Sequence, residues 1–132
     1  MKNYMCVVFI LFLCSCDPDA CSEYLIKNST NLDLNLTFIE KKEIKEVNIE
    51  KQYVVNFIEH NCDTGGAPLL YLYNYNSIYL SKGNEILKVW KPDTKGKNIY
   101  NIDKDWSVRE SPKDNFIYTF EITDEDLIRQ EE

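Results

Sequence analysis

Asn31-Leu32-Asp33-Leu34-Asn35-Leu36-Thr37-Phe38-Ile39-Glu40 alternates between apolar and polar side chains almost without a break. In an extended chain Leu32, Leu34, Leu36 and Phe38 fall on one side and Asp33, Asn35 and Thr37 on the other. A helical period of 3.6 would scatter those four apolar residues around its axis, so the stretch reads as a half-buried β-strand.

Upstream, Glu23-Tyr24-Leu25-Ile26-Lys27 is a short strand, and Asn28-Ser29-Thr30-Asn31 is a polar turn. Asn28-Ser29-Thr30 also spells a glycosylation sequon, which is read here as turn chemistry alone. Downstream, Ile44 to Lys51 is an amphipathic piece that suits strand or helix. Tyr53 to Ile58 is a β-branched and aromatic strand, and Asn61 to Pro68 is a loop by composition. Leu69 to Tyr73 reads as a strand or loop entry, and Ser77 to Leu80 as a strand. Ser81-Lys82-Gly83-Asn84 is a turn signal ahead of the strand Glu85 to Lys91, so this pair predicts a hairpin. Pro92 to Lys97 is a polar loop, and Ile99, Tyr100, Ile102 and Trp106 follow in a weakly patterned region. Phe116, Tyr118, Phe120 and Ile122 share one face of a last strand. Thr123 is a good N-cap for a short helix whose acids Asp124, Glu125 and Asp126 suit the positive end of its dipole, with Glu131 and Glu132 read alongside them as solvated. Strands at this spacing without a long helical period predict a mainly β fold, an antiparallel β-sandwich or flattened barrel with a short C-terminal helix.

The N-terminus has a different grammar. Met1 to Ser15 (MKNYMCVVFILFLCS) places one cation, Lys2, before an apolar run from Met5 to Cys14, the layout of a cleaved secretory signal. The run is about half the roughly 20 residues that a membrane-spanning helix needs. Leu13-Cys14-Ser15-Cys16 resembles the bacterial lipobox, with Cys14 where Ala, Ser or Thr is commoner. The resemblance implies cleavage before Cys16 and acylation of its thiol, and two or three chains at about 0.8 kcal/mol per buried methylene give durable anchoring. The expected organisation is a signal peptide over 1–15, a lipidated tether over 16–21 and a single domain over 22–132. An ordinary secretory peptide cleaved nearby would leave Cys16 free.

Asp17-Pro18-Asp19 follows the lipobox. An Asp in the second position resembles the inner-membrane retention signal of enterobacterial lipoproteins, whereas an acidic cluster there resembles the surface-export signal of Bacteroidetes lipoproteins. Abundant Asn, Ile, Lys and Tyr fit an AT-rich genome and the second reading. The expected location is the bacterial cell envelope, lipid-anchored to the outer membrane, with its face left open.

With 1–15 removed, 117 residues remain and 14 Lys+Arg face 22 Asp+Glu, a charge of −8; the full 132-residue chain carries −7. This acidity, with a pI near 4.8, argues against a nucleic-acid partner. A mean hydropathy of −0.41 excludes a polytopic membrane protein.

Of five cysteines, Cys6 and Cys14 lie in the signal and Cys16 takes lipid, which leaves Cys21 and Cys62. In an oxidising compartment the pair suits a disulfide closing about 40 residues, worth about 4 kcal/mol in the chain-entropy model. Two free thiols, or a Cys62–His60 dyad, are the alternatives. A zinc site wants three or four ligands, and the sequence has one His and no Cys-x-x-Cys pair.

No catalytic residue, metal or cofactor is expected. No Gly-x-Ser-x-Gly elbow occurs, and the four glycines, Gly65, Gly66, Gly83 and Gly96, form no phosphate loop. The candidate binding surface is aromatic: Tyr71, Tyr73, Tyr75 and Tyr79 with Trp90 and Trp106, which either fill the core or present faces to a sugar or a protein.

The lipobox, the early Cys21, the Tyr24-Leu25-Ile26-Lys27-Asn28 opening and the closing Tyr118-Thr119-Phe120-Glu121-Ile122-Thr123-Asp124-Glu125-Asp126 resemble a set of small uncharacterised lipoproteins from Bacteroidetes. The resemblance implies a compact β-sandwich at the cell envelope and implies no activity. The expected function is therefore a non-catalytic binding or scaffolding module, held to the membrane through Cys16, whose partner is an envelope protein or a glycan. The alternative is a periplasmic inhibitor or immunity protein whose acidity meets a basic toxin or wall hydrolase.

Overall fold

A computed structural model of the chain describes residues 19–41, 43–64, 70, 72–112 and 115–128. In chain order these form β1 (Asp19–Asn28), β2 (Leu34–Ile39), β3 (Ile44–Ile49), β4 (Val54–Thr64), a 3-10 turn (Leu72–Asn74), β5 (Ser77–Lys82), β6 (Glu85–Trp90), the one-turn helix α1 (Ile102–Asp105), β7 (Ser107–Ser111), β8 (Asn115–Ile122) and a second 3-10 turn (Asp124–Leu127). The strands make two four-stranded sheets, β4-β1-β8-β7 and β3-β2-β5-β6. The fold is the expected mainly β, sandwich-like one, with minimal helix.

The alternating stretch behaves as its pattern dictates. Leu34, Leu36 and Phe38 of β2 are buried, and Asn35, Thr37 and Ile39 between them are half-buried. The sheets are joined by aromatic contacts across the core. Phe38 stacks on Phe57 of β4 at 4.7 Å between ring centroids. Trp90 of β6 meets Phe120 of β8 edge-on at 5.7 Å. Tyr24 of β1 stacks on Tyr118 of β8 at 4.8 Å and meets Trp106, just ahead of β7, edge-on at 5.9 Å. Pairs of this geometry add about 0.5–1.5 kcal/mol to the burial of their area.

The β5–β6 hairpin turns at Gly83-Asn84, and Gly83 has φ +55°, a left-handed conformation that a Cβ would strain. Within the 44–51 segment Ile44–Ile49 is strand, and β3 pairs with β2 from Leu34↔Ile49 to Ile39↔Ile44.

Several expectations are corrected. The sandwich is not purely antiparallel, because β1 and β8 run parallel from Cys21↔Asn115 to Asn28↔Ile122. Parallel neighbours need a long crossover, and here nearly the whole chain between the first and last strands supplies it. β1 begins at Asp19, and Asp19, Ala20 and Cys21 pair with Thr64, Asp63 and Cys62. The same ladder carries β4 through Asn61–Thr64, where composition predicted a loop; residues 65–69 lie outside the described ones. β7 was hidden in the weakly patterned region. It is an edge strand exposed for most of its length, so neither face left a pattern. The short C-terminal helix is present as a single 3-10 turn behind Thr123.

Candidate binding groove

Two buried asparagines shape the connections. The Asn28 amide donates to the carbonyls of Leu32 (2.8 Å), Ile49 (3.2 Å) and Glu50 (3.1 Å). Its oxygen accepts from Thr30 N–H and Oγ1. The sequon thus serves turn chemistry, tying β1 to the ends of β2 and β3. The Asn98 amide donates to the carbonyls of Lys91 (2.8 Å) and Thr94 (3.0 Å), and its oxygen accepts from Tyr100 N–H. Asp105 then accepts from Asn98 N–H and from the Asn101 amide. Trp106 Nε1 donates to the Ile99 carbonyl at 2.7 Å. These bonds hold 98–106 in one shape without a regular ladder.

Against that rigid segment lies an open groove of about 400 Å³ between the 3-10 turn at Leu72–Asn74 and α1. Its floor is apolar, from half-buried Leu70 and Ile102. The ring of Tyr73 stands at its rim, 63% exposed and 5.9 Å from the ring of Tyr100. Tyr100 is buried and donates to the Tyr75 carbonyl at 3.0 Å. Burial pushes its phenol up to about 12, so it stays neutral. Asn101, Asp103 and Lys104 complete the lining. Asp103 and Lys104 are exposed and have no side-chain partner among the described residues. The groove therefore offers an aromatic face, an amide, a carboxylate and an ammonium on walls held from behind. A second hollow of about 200 Å³ beside Cys21 and Phe116 is below the roughly 300 Å³ at which ligand pockets begin.

The aromatic set, open to either core filling or surface presentation, is divided. Trp90 and Trp106 are core residues, at 0% and 6% exposure, because the inward register of β6 and the Ile99 carbonyl draw them inside. That removes both tryptophans from the candidate surface. Tyr75 is half-buried against Phe38, with ring centroids 5.2 Å apart. Tyr79 is half-buried on the outer side of β5, opposite Thr37 and Val89. Tyr73 alone of the set reaches the groove, and Tyr71 lies outside the described residues.

Cys21 and Cys62 are joined by a disulfide and directly paired between β1 and β4. The free-thiol and Cys–His alternatives thereby fall away for this pair. Cys16 lies outside the described residues. Among the described residues no group of three or more His, Cys, Asp and Glu is placed to hold a metal, and no helix is long and apolar enough to cross a membrane.

Sequence reasoning did not single out Tyr100, Asn101, Asp103 or Lys104. The available signal was Asn98 and Asn101 ahead of Asp103-Lys104-Asp105, capping residues in front of a charged turn, but nothing in it placed Tyr73 opposite. Comparison with protein-family models, with curated proteins and with solved structures finds no match for the chain.

Proposed function

We propose that this chain is a lipid-anchored lipoprotein of the bacterial cell envelope whose β-sandwich acts as a non-catalytic binding module. The observation that carries the binding half is the groove at Tyr73 and α1, where polar side chains without partners among the described residues stand on a segment braced by Asn98 and Asp105. Preorganised walls lower the ordering cost of binding, which is what a recognition site requires. Among the described residues, its lining is Leu70, Tyr73, Tyr100, Asn101, Ile102, Asp103 and Lys104, side chains suited to contact and hydrogen bonding.

The anchoring half rests on the lipobox-like run ending at Cys16, with the disulfide as support for an oxidising compartment. Only Asp17 and Pro18 stand between Cys16 and β1 in the sequence, so acylation at Cys16 holds the sandwich close to the bilayer. Kinship with small Bacteroidetes lipoproteins and attachment to the outer membrane belong to the same proposal.

Cys16→Ser should move the protein from the membrane fraction to the soluble one; a variant that still sediments with membranes defeats the anchor assignment. Antibody labelling of intact and permeabilised cells then decides the face. Labelling only after permeabilisation brings forward the inhibitor reading, in which the acidic chain meets a basic envelope enzyme.

A further inference from the structure

We infer that the groove at Tyr73 binds a neutral saccharide, with the tyrosine ring stacking on the apolar face of a sugar and Asn101, Asp103 and Lys104 taking its hydroxyls. The inference rests on the binding-module reading and names its ligand class.

The ligand has to match four features at once. The Tyr73 ring is 63% exposed at the rim of an otherwise braced site, so its face is available to a flat apolar partner. Asp103 and Lys104 both line the groove with opposite charges, so its described walls carry no net charge. A ligand with a large charge of either sign gains from one and loses to the other. A chain of net charge −7 further disfavours a polyanion. The remaining requirement is a molecule that both donates and accepts hydrogen bonds, since carboxylate, ammonium and amide line the same wall. A sugar unit meets all four, because each hydroxyl donates and accepts while the ring's C–H face is apolar.

Peptide recognition fits less well. Among the described residues the walls are a 3-10 turn and a one-turn helix, which present no strand edge for an added strand. Among the described residues its aliphatic lining is Leu70 and Ile102, too little to seat the row of anchors of an amphipathic helix. The volume of about 400 Å³, open on one side, suits the end of an oligosaccharide with the remainder in solvent.

The test is a titration of the full chain in detergent micelles, followed by NMR. The probes are neutral hexasaccharides of α-linked glucose, β-linked glucose, β-linked N-acetylglucosamine and β-linked mannose, with an oligogalacturonate as the anionic comparison. The expected result is saturable binding of at least one neutral probe, with shifts centred on Tyr73 and Asn101 to Lys104. Tyr73→Ala should weaken it roughly tenfold, Tyr73→Phe should keep most of it because the ring remains, and Asp103→Asn should weaken it severalfold. Tyr73 is exposed, so an unchanged thermal midpoint separates lost binding from lost folding. Failure of every neutral probe, preference for the oligogalacturonate, or a Tyr73→Ala variant that binds as before overturns the inference. If no saccharide binds while Tyr73→Ala abolishes capture of an envelope protein, the saccharide falls and the binding module stands. If the groove variants alter neither, both fall.

Discussion

Asp126 shows how much one side chain's placement matters. In the sequence it is the third acid of Asp124-Glu125-Asp126 and looks solvated. In the structure it is 3% exposed, bonded to Lys97 Nζ at 2.5 Å, to Lys88 Nζ at 3.2 Å and to Thr123 N–H at 3.0 Å. It joins the last turn to β6 and to the loop after it. Burial alone would raise its pKa, but the bonds from Lys97 and Thr123 and the charges of both lysines outweigh that, and the carboxyl titrates below its ordinary 3.8. A depressed folded-state pKa contributes stability that is full above the unfolded value and fades as pH falls through the folded one. Stability should therefore decline below about pH 4, and Asp126→Asn should flatten that decline. The same variant should lose about 3 kcal/mol at neutral pH, read by urea unfolding, because it leaves Lys88 and Lys97 without their shared partner. The aromatic residues separate just as sharply. Trp90→Ala should cost about 3–5 kcal/mol by opening the core, whereas Tyr73→Ala should stay within about 0.5 kcal/mol. A large stability loss on truncating Tyr73 would place it in the core and remove it from the groove.

At the level of elements, local chemistry and pairing contribute differently. The β5–β6 hairpin is legible because Gly83 at the turn and the alternation beside it agree with the tertiary pairing. The turn after β1 is legible as polar, yet its importance is not. Asn28 is fully buried and satisfies three carbonyls from two other strand ends, which no local reading reveals. Asn28→Ala removes the amide from those carbonyls, of which Leu32 keeps a bond from Thr30 Oγ1 at 3.3 Å, and should cost about 2–4 kcal/mol by denaturant unfolding. A cost under about 0.5 kcal/mol would show water replacing the amide without penalty. β7 and the end of β4 escape sequence reading for one reason. Ser107 to Ser111 and Asn61 to Thr64 carry little apolar pattern, and hydrogen bonding to a neighbour makes them strands.

For the whole molecule, the disulfide and the parallel β1–β8 pair act together. β1 is an inner strand flanked by β4 and β8, so one sheet depends on an N-terminal segment staying in place. The Cys21–Cys62 bond pins the start of that strand to β4 across 41 residues of sequence. Replacing both cysteines by serine should lower stability by about 2–4 kcal/mol, measured by thermal and urea unfolding, with the sheet retained. Loss of strand content in the double variant would mean that the bond is needed to form the sheet itself. The sequence by itself determined the β class, the inward face of β2, the hairpin and the availability of Cys21 and Cys62 to pair, because side-chain alternation, turn stereochemistry and cysteine number are local or compositional properties. Only the tertiary structure decided that β1 lies parallel to β8, that Trp90 and Trp106 point inward, that Asp126 is buried, and that Tyr73 faces Asn101 to Lys104 across a groove. Each of those depends on which distant segments meet, and contact between distant segments is settled by packing and hydrogen-bond satisfaction over the whole chain.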